Sequence, residues 1–242
     1  MSITDRKERE KEQRRNAIID AAEKMFFSRG YDNVSMDDIA RAVELNKATL
    51  YLYFKNKEAL FFAVVLRGAR ILNSLVKENI KTCKTGYEKL WETGHAYFTF
   101  FKKYPDYNQV QNYFYSGRFD LSNVMDMQVD AIDGGKRYAL HEYTVFDFPK
   151  ITDVEDAKEI IMLHHEIFVI MCNSIKEGID EGMFRPDLDP AEAAIIFTMV
   201  LESVPNMRPD LKSVLDSRGI DRSKFSKDIG DFIGNMLKIK NT

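Results

Sequence analysis

The sequence predicts an all-α protein in which an N-terminal three-helix unit precedes a larger helical bundle. Only six prolines interrupt 242 residues, and the stretches between them repeat apolar residues with the helical period of 3.6. No β-branched run alternates with period two, and no Asn-Gly or Asp-Gly turn is flanked by strand patterns. The chain is 45% hydrophobic and 30% charged, which excludes disordered, collagen-like and disulfide-scaffold classes. No run of 18 uncharged apolar residues occurs, so no membrane span is expected. Residues 1–12 carry no apolar segment behind a basic one, so no secretory signal is expected either. Cys83 and Cys172 stand alone in the sequence. Their isolation suits a reduced, cytoplasmic setting.

Ala17, Ile18, Ala21, Ala22, Met25 and Phe26 form one face of a first helix, which Gly30 can close because glycine reaches positive φ at no steric cost. Ser35 and Asp38 have the spacing of a capping box for a second helix. Asp37 and Asp38 in its first turn suit the helix dipole, and Ile39, Ala40 and Val43 supply its apolar side. Asn46 is a good cap for a third, short helix near 47–53, with Leu50 and Phe54 one turn apart on its buried side. Later turns are marked at Tyr104-Pro105, Phe148-Pro149, Arg185-Pro186, Asp189-Pro190 and from Pro205 to Pro209. Helices are expected between them near 57–81, 86–103, 107–117, 120–142, 154–181, 190–204 and 222–239. Asp133-Gly134-Gly135 reads as a break between helices. The change from short to long helices puts a domain boundary near residue 60.

The second and third helices have helix-turn-helix spacing, here about 36–55. The third has a slim first turn, Lys47-Ala48-Thr49, and Tyr51, Tyr53, Lys55 and Lys57 along or beyond its outer side. A helix entering the major groove needs such a set, with a narrow leading edge for bases and Thr, Tyr and Lys for phosphates. Residues 46–57 hold three lysines and no acid. The same pattern also fits a short amphipathic helix in an ordinary bundle, its lysines merely solvated.

Residues 14–60 contain a first helix ending in F-x-x-x-G-Y, then S-M-D-D-I-A, then T-L-Y-x-Y-F-K-N-K-E-A-L. This stretch resembles the DNA-binding domain of the TetR family of transcriptional regulators. The resemblance implies a sequence-specific regulator, a repressor released from a palindromic operator by a small hydrophobic effector. It implies double-stranded DNA and a second copy of the chain as partners, with no enzymatic activity, cofactor or membrane. By position, Lys47 and Ala48 would contact bases. Thr49, Tyr51 and Lys57 would hold phosphates, Tyr53 and Lys55 would lie beside them, and Ser35 and Met36 would meet the backbone on the other side. The turn departs from the family pattern: Val43-Glu44-Leu45 replaces a glycine-containing sequence. Either the turn differs or a non-glycine residue tolerates positive φ, at about 1 kcal/mol. Residues 1–13 read as a charged extension, either a basic arm for the minor groove or a frayed helix start, with Arg14 and Arg15 the better DNA candidates.

Residues 61–242 show no G-x-S-x-G, H-E-x-x-H, phosphate-binding glycine loop or C-x-x-C. A helical scaffold and an α-helical enzyme remain rival readings. Adjacent helical residues point about 100° apart, so His164 and His165 are poorly placed to share a metal, and no metal site is expected. Eleven aromatic residues crowd into 91–119. Each has core as its default, yet so many with polar tips suit the lining of an apolar cavity. The expected effector-binding residues are Trp91, His95, Phe98, Tyr113, Phe114, Phe168, Met171 and Cys172. Residues 177–204 resemble the family's turn into a dimerisation helix. Ala191, Ala194, Ile195, Thr198 and Met199 offer one apolar stripe for a dimer interface, and Ile229, Phe232, Ile233 and Met236 a second. Both stripes could instead pack within one subunit.

Charge divides the same way. Residues 1–60 hold 12 Lys and Arg against 11 Asp and Glu, and residues 61–242 hold 23 against 27. The acidic total of -3 therefore belongs to the second part and does not argue against a nucleic-acid partner.

Overall fold

The computed structural model describes residues 3–119, 121 and 155–238. The expected helix near 120–142 and its Asp133-Gly134-Gly135 break lie outside the described residues. Ten α-helices are present among the described residues: α1 Ile3–Arg29, α2 Met36–Ala42, α3 Lys47–Tyr53, α4 Lys57–Ile80, α5 Gly86–Lys103, α6 Pro105–Phe114, α7 Glu155–Asp180, α8 Pro190–Ser203, α9 Pro209–Ser217 and α10 Arg222–Leu237. The all-α architecture agrees with the sequence pattern. Two helices differ from expectation. α6 starts at Pro105, and α9 begins at the end of the turn read from Pro205 to Pro209 and runs through a stretch for which no helix was expected. In both, proline takes the first helical position, where its missing N–H leaves no hydrogen bond unmade.

The described residues form two compact units. The first contains 3–70, 106–119, 121 and 155–161. Its core is Ile18, Ala22 and Phe26 from α1, Ile39 from α2, Leu50 from α3, and Leu60, Phe61, Phe62 and Val64 from α4, all at most 2% exposed. Phe26, Tyr31, Phe61, Phe62, Tyr113, Phe114 and Phe119 make a continuous ring cluster, with centroids 4.8 to 6.4 Å apart. Edge-on pairs of this kind add to the gain from burial alone. Polar ties surround the cluster. The Tyr113 hydroxyl donates to Asp32 Oδ1 at 2.9 Å, and Arg118 pairs with Asp32 at 3.1 Å. Arg67 reaches Asp20 at 2.6 Å and Glu23 at 3.3 Å, and the Tyr107 hydroxyl donates to Glu23.

α4 runs unbroken across residue 60. It is long and apolar enough to cross a bilayer by length and composition, although no uncharged run of 18 exists. However, 67% of its most apolar window is buried inside the protein, as befits a core helix.

The second unit contains 71–105 and 162–238. Thr85 and Glu88 form a reciprocal capping box at the start of α5. α8 and α10 both pack on α5. Close helix approach depends on small residues: a Cβ on Gly86 would lie 2.2 Å from the Ser174 carbonyl and 2.4 Å from the Gly178 nitrogen. Phe184 is fully buried beside Gly178. Among the described residues the backbone pairs once in extended form, where Arg185 N–H donates to the Leu237 carbonyl at 2.9 Å.

Candidate nucleic-acid interface

The elements around α3 are fixed by local chemistry. Gly30 closes α1 at φ 73°. Ser35 Oγ accepts from the Asp38 N–H at 3.1 Å, and the Ser35 N–H donates back to Asp38 Oδ2 at 3.0 Å. The Ser35 hydroxyl, donating to Asp38 Oδ2 at 2.6 Å, and then the Ser35 N–H favour the charged carboxylate and hold Asp38 down to about 2. Asn46 Oδ1 accepts from the Thr49 N–H at 2.7 Å and starts α3. All three features follow the sequence pattern.

The turn between α2 and α3 keeps the geometry that glycine usually serves. Glu44 N–H donates to Arg41 O at 3.3 Å and Leu45 N–H donates to Ala40 O at 2.9 Å. These are the paired bonds of a Schellman ending, which needs a left-handed residue between them. That residue is Glu44, at φ 53°. Of the two outcomes the sequence left open, the turn is retained and the strain is tolerated.

On α3, Leu50 and Phe54 are buried and fix the inner side. Lys47, Ala48, Tyr51, Leu52 and Lys55 are exposed, while Thr49, Tyr53 and Lys57 are half-buried. The expected residues therefore divide between exposed and inward-turned positions. Met36 is 7% exposed, so its side chain belongs to the core, because the α2 face carrying it also carries Ile39 and Ala40. Ser35 is exposed with its hydroxyl committed to the cap. Lys57 is turned inward: its Nζ donates to the Tyr31 carbonyl at 3.0 Å and lies 4.1 Å from the centre of the Tyr31 ring. Lys47 pairs with Asp37 of α2 at 2.9 Å, both side chains being more than half exposed. Such an exposed pair is screened by solvent and weak, so a phosphate can displace Asp37. Arg15, expected to face DNA, stacks on the Phe54 ring at 5.1 Å and approaches Asp156 at 3.5 Å. Leu52 had no role in the sequence reading, and its exposure was the signal that only coordinates supply.

Residues 18–64 match the family described as bacterial regulatory proteins, tetR family. The N-terminal part of the chain carries that family's domain. It is 32% identical over 90 residues to the HTH-type transcriptional activator FasR of Mycolicibacterium smegmatis, a match covering 37% of this chain and 41% of FasR. It is 31% identical over 78 residues to IcaR of Staphylococcus aureus, the negative transcriptional regulator of the icaADBC biofilm operon, covering 32% and 42%. The chain thus matches less than half the length of these relatives. Beyond the N-terminal part the likeness is one of fold. The structure of FadR from Bacillus subtilis in complex with stearoyl-CoA superposes with a TM-score of 0.60 at 19% identity, over 90% of this chain and 96% of FadR.

The residues expected to line an effector cavity are divided between the two units. Tyr113 and Phe114 belong to the ring cluster of the first, and Phe114 is fully enclosed by Phe62, Tyr115 and Phe119. Both pack against rings from distant sequence there, Tyr113 against Tyr31 and Phe61 and Phe114 against Phe62. In the second unit, Trp91 lines a narrow apolar cleft with Tyr87, Leu90, Phe184, Phe197, Ile233 and Leu237. His95 is exposed beside Glu92, Phe98 and Phe168 are half-buried, and Met171 and Cys172 are buried. Burial pushes the Cys172 thiol up to about 12. His164 is held neutral, its imidazole pushed down to about 4 by burial. No group of three or more metal-ligating side chains occurs among the described residues.

The two stripes expected at a dimer interface split by burial. Ala194 and Ile233 are buried within the chain. Ala194 follows the α8 face that carries Phe197, and Ile233 points into the Trp91 cleft. Thr198 is half-buried, donating to the Ala194 carbonyl at 2.9 Å. Ala191 and Ile229 are also half-buried. Ile195, Met199, Phe232 and Met236 are exposed, with Met199 and Phe232 at 66% and 68%.

Proposed function

We propose that this chain is a homodimeric, effector-responsive DNA-binding transcriptional regulator acting in the cytoplasm, and that it represses its target by occupying a palindromic operator. The observation that carries this reading is the outer surface of α3. Leu50 and Phe54 anchor the helix, and Lys47, Ala48, Tyr51 and Lys55 are left outside it. Lys47 and Ala48 contact bases in this reading. Thr49, Tyr51, Tyr53 and Lys55 contact phosphates, and Lys57 joins them by leaving the Tyr31 carbonyl. Residues 14–60 form the reading domain and 61–242 the domain for dimerisation and effector binding.

Dimerisation is supported by the exposed apolar side chains of α8 and α10, which water alone would otherwise cover. Two copies place two recognition helices one turn of DNA apart, as a palindrome requires. A hydrophobic effector is supported by the apolar second unit and by the fold shared with FadR, which binds stearoyl-CoA. Repression follows the role stated for IcaR. FasR carries the opposite sign, so a promoter-reporter comparison with and without the chain decides between them.

The test is fluorescence anisotropy on duplex DNA across a salt series. Wild-type affinity falls steeply with salt, by a slope near 0.9 per phosphate contacted. Lys57→Ala weakens binding to all sequences and lowers that slope, whereas Lys47→Ala alters sequence preference. Equal loss on all duplexes for both variants would overturn the assignment. Salt-independent or absent binding would overturn the function.

A further inference from the structure

Leu52 is 81% exposed, more than any other large apolar side chain among the described residues. A lone exposed leucine is ordinary on a protein surface. Its position on α3 is not. Successive helical residues are about 100° apart, so Ala48 and Leu52 each lie about 200° from Leu50. Leu50 is fully buried. Ala48 and Leu52, four residues apart and both exposed, therefore form the stripe of α3 that projects farthest from the core. Lys47 and Tyr51 flank this stripe on one side, and Lys55 follows at the helix end. An apolar ridge with a basic border fits a surface that is anionic at its edges and apolar at its floor. Within the major groove the only apolar group on a base edge is the thymine C5 methyl.

We infer that Leu52 is a specificity-determining residue that reads a thymine methyl in each half-site. The inference rests on the proposed function and deepens it. Ala48 leaves the room for Leu52 to reach the groove floor, and the lysines hold the phosphates that set its depth. Because the contact is apolar, it discriminates thymine from cytosine without a hydrogen bond. Lys47 then supplies the neighbouring polar contact.

The experiment starts from the duplex that the wild-type protein enriches from a random library. Each thymine is replaced in turn by deoxyuridine, which removes only the methyl, and affinity is measured for wild type and Leu52→Ala. One methyl-sized contact of about 0.8 kcal/mol corresponds to about fourfold in affinity. Wild type is expected to lose about fourfold at one thymine per half-site, and Leu52→Ala to bind thymine and deoxyuridine there equally. Deoxyuridine sensitivity that survives in Leu52→Ala would overturn the assignment, as would an enriched site with no methyl-sensitive thymine. Leu52→Ala should melt with the wild type because the side chain is exposed, and Leu52→Gln provides a second variant with the same expected loss of methyl sensitivity. Enrichment of no duplex at all by the wild type would overturn the proposed function itself, and this inference with it.

Discussion

Replacing Glu44 by glycine is expected to stabilise the protein. Glu44 holds φ 53° at the end of α2, in a turn whose hydrogen bonds are otherwise complete. An L-residue in this region costs roughly 1–2 kcal/mol because Cβ crowds the following carbonyl. Glycine removes that cost, but its unfolded chain has more freedom to lose, about 0.4–1 kcal/mol. The net gain is therefore about 0.5–1 kcal/mol, which for a chain of this size is roughly 1–4 °C in Tm. Two other helix ends supply a control, since α7 and α9 finish at Gly182 and Gly219 with φ of 69° and 67° and the same pair of hydrogen bonds. A Cβ at either glycine would meet nothing within 4 Å. Gly219→Ala should thus cost about 1 kcal/mol through backbone strain alone. The assay is thermal and denaturant unfolding followed by circular dichroism, over the series Gly, Asn, Glu and Val at position 44. Stability should fall in that order, since asparagine tolerates the left-handed region and a β-branched residue does not. A Glu44→Gly protein no more stable than wild type, beside a clear loss in Gly219→Ala, would refute the reasoning.

Gly86→Ala should prevent folding of the second unit or cost more than about 3 kcal/mol, since the new methyl meets backbone atoms of α7 at 2.2 and 2.4 Å and overpacking of this kind is not relieved by a rotamer change. Loss of the cooperative transition checks it. Phe232→Glu or Met199→Glu should leave the stability of the folded subunit within about 0.5 kcal/mol of wild type while shifting the protein from dimer to monomer in sedimentation velocity at micromolar concentration. A dimer unchanged in both would place the interface elsewhere. Burial lowers the His164 imidazole from its ordinary 6.5 to about 4. Below pH 6.5 the unfolded chain binds a proton that the folded chain refuses, so stability falls as pH drops from about 6.5 toward 4. His164→Leu should flatten the pH dependence across that window, and an unchanged slope would contradict it.

The parts of the fold legible in the sequence are those set by neighbours along the chain. Ser35 with Asp38, Asn46 with Thr49 and the Gly30 ending are bonds spanning a few residues, so residue identities are enough to place them. The buried face of α3 was equally plain from the four-residue spacing of Leu50 and Phe54. Partners far away in sequence were not legible. Tyr113 and Phe114 looked like cavity aromatics because the rings they pack on, Tyr31 and Phe61 for Tyr113 and Phe62 for Phe114, lie some 50 to 80 residues earlier. Lys57 read as a free phosphate ligand until the Tyr31 carbonyl was placed beside it. Ala194 and Ile233 carry the same apolar pattern as their exposed neighbours, and only the packing against α5 separates the two faces. α9 was missed for a local reason: Pro209 was weighed as a helix breaker when it occupies the one helical position that suits it.

Selection of binding sites from a random duplex library by the purified full chain tests the central claim most directly. The account predicts enrichment of a palindrome whose half-sites are centred about one helical turn apart, with binding that weakens steeply as salt rises. A library that emerges without an enriched motif, bound no better than random DNA, would contradict it.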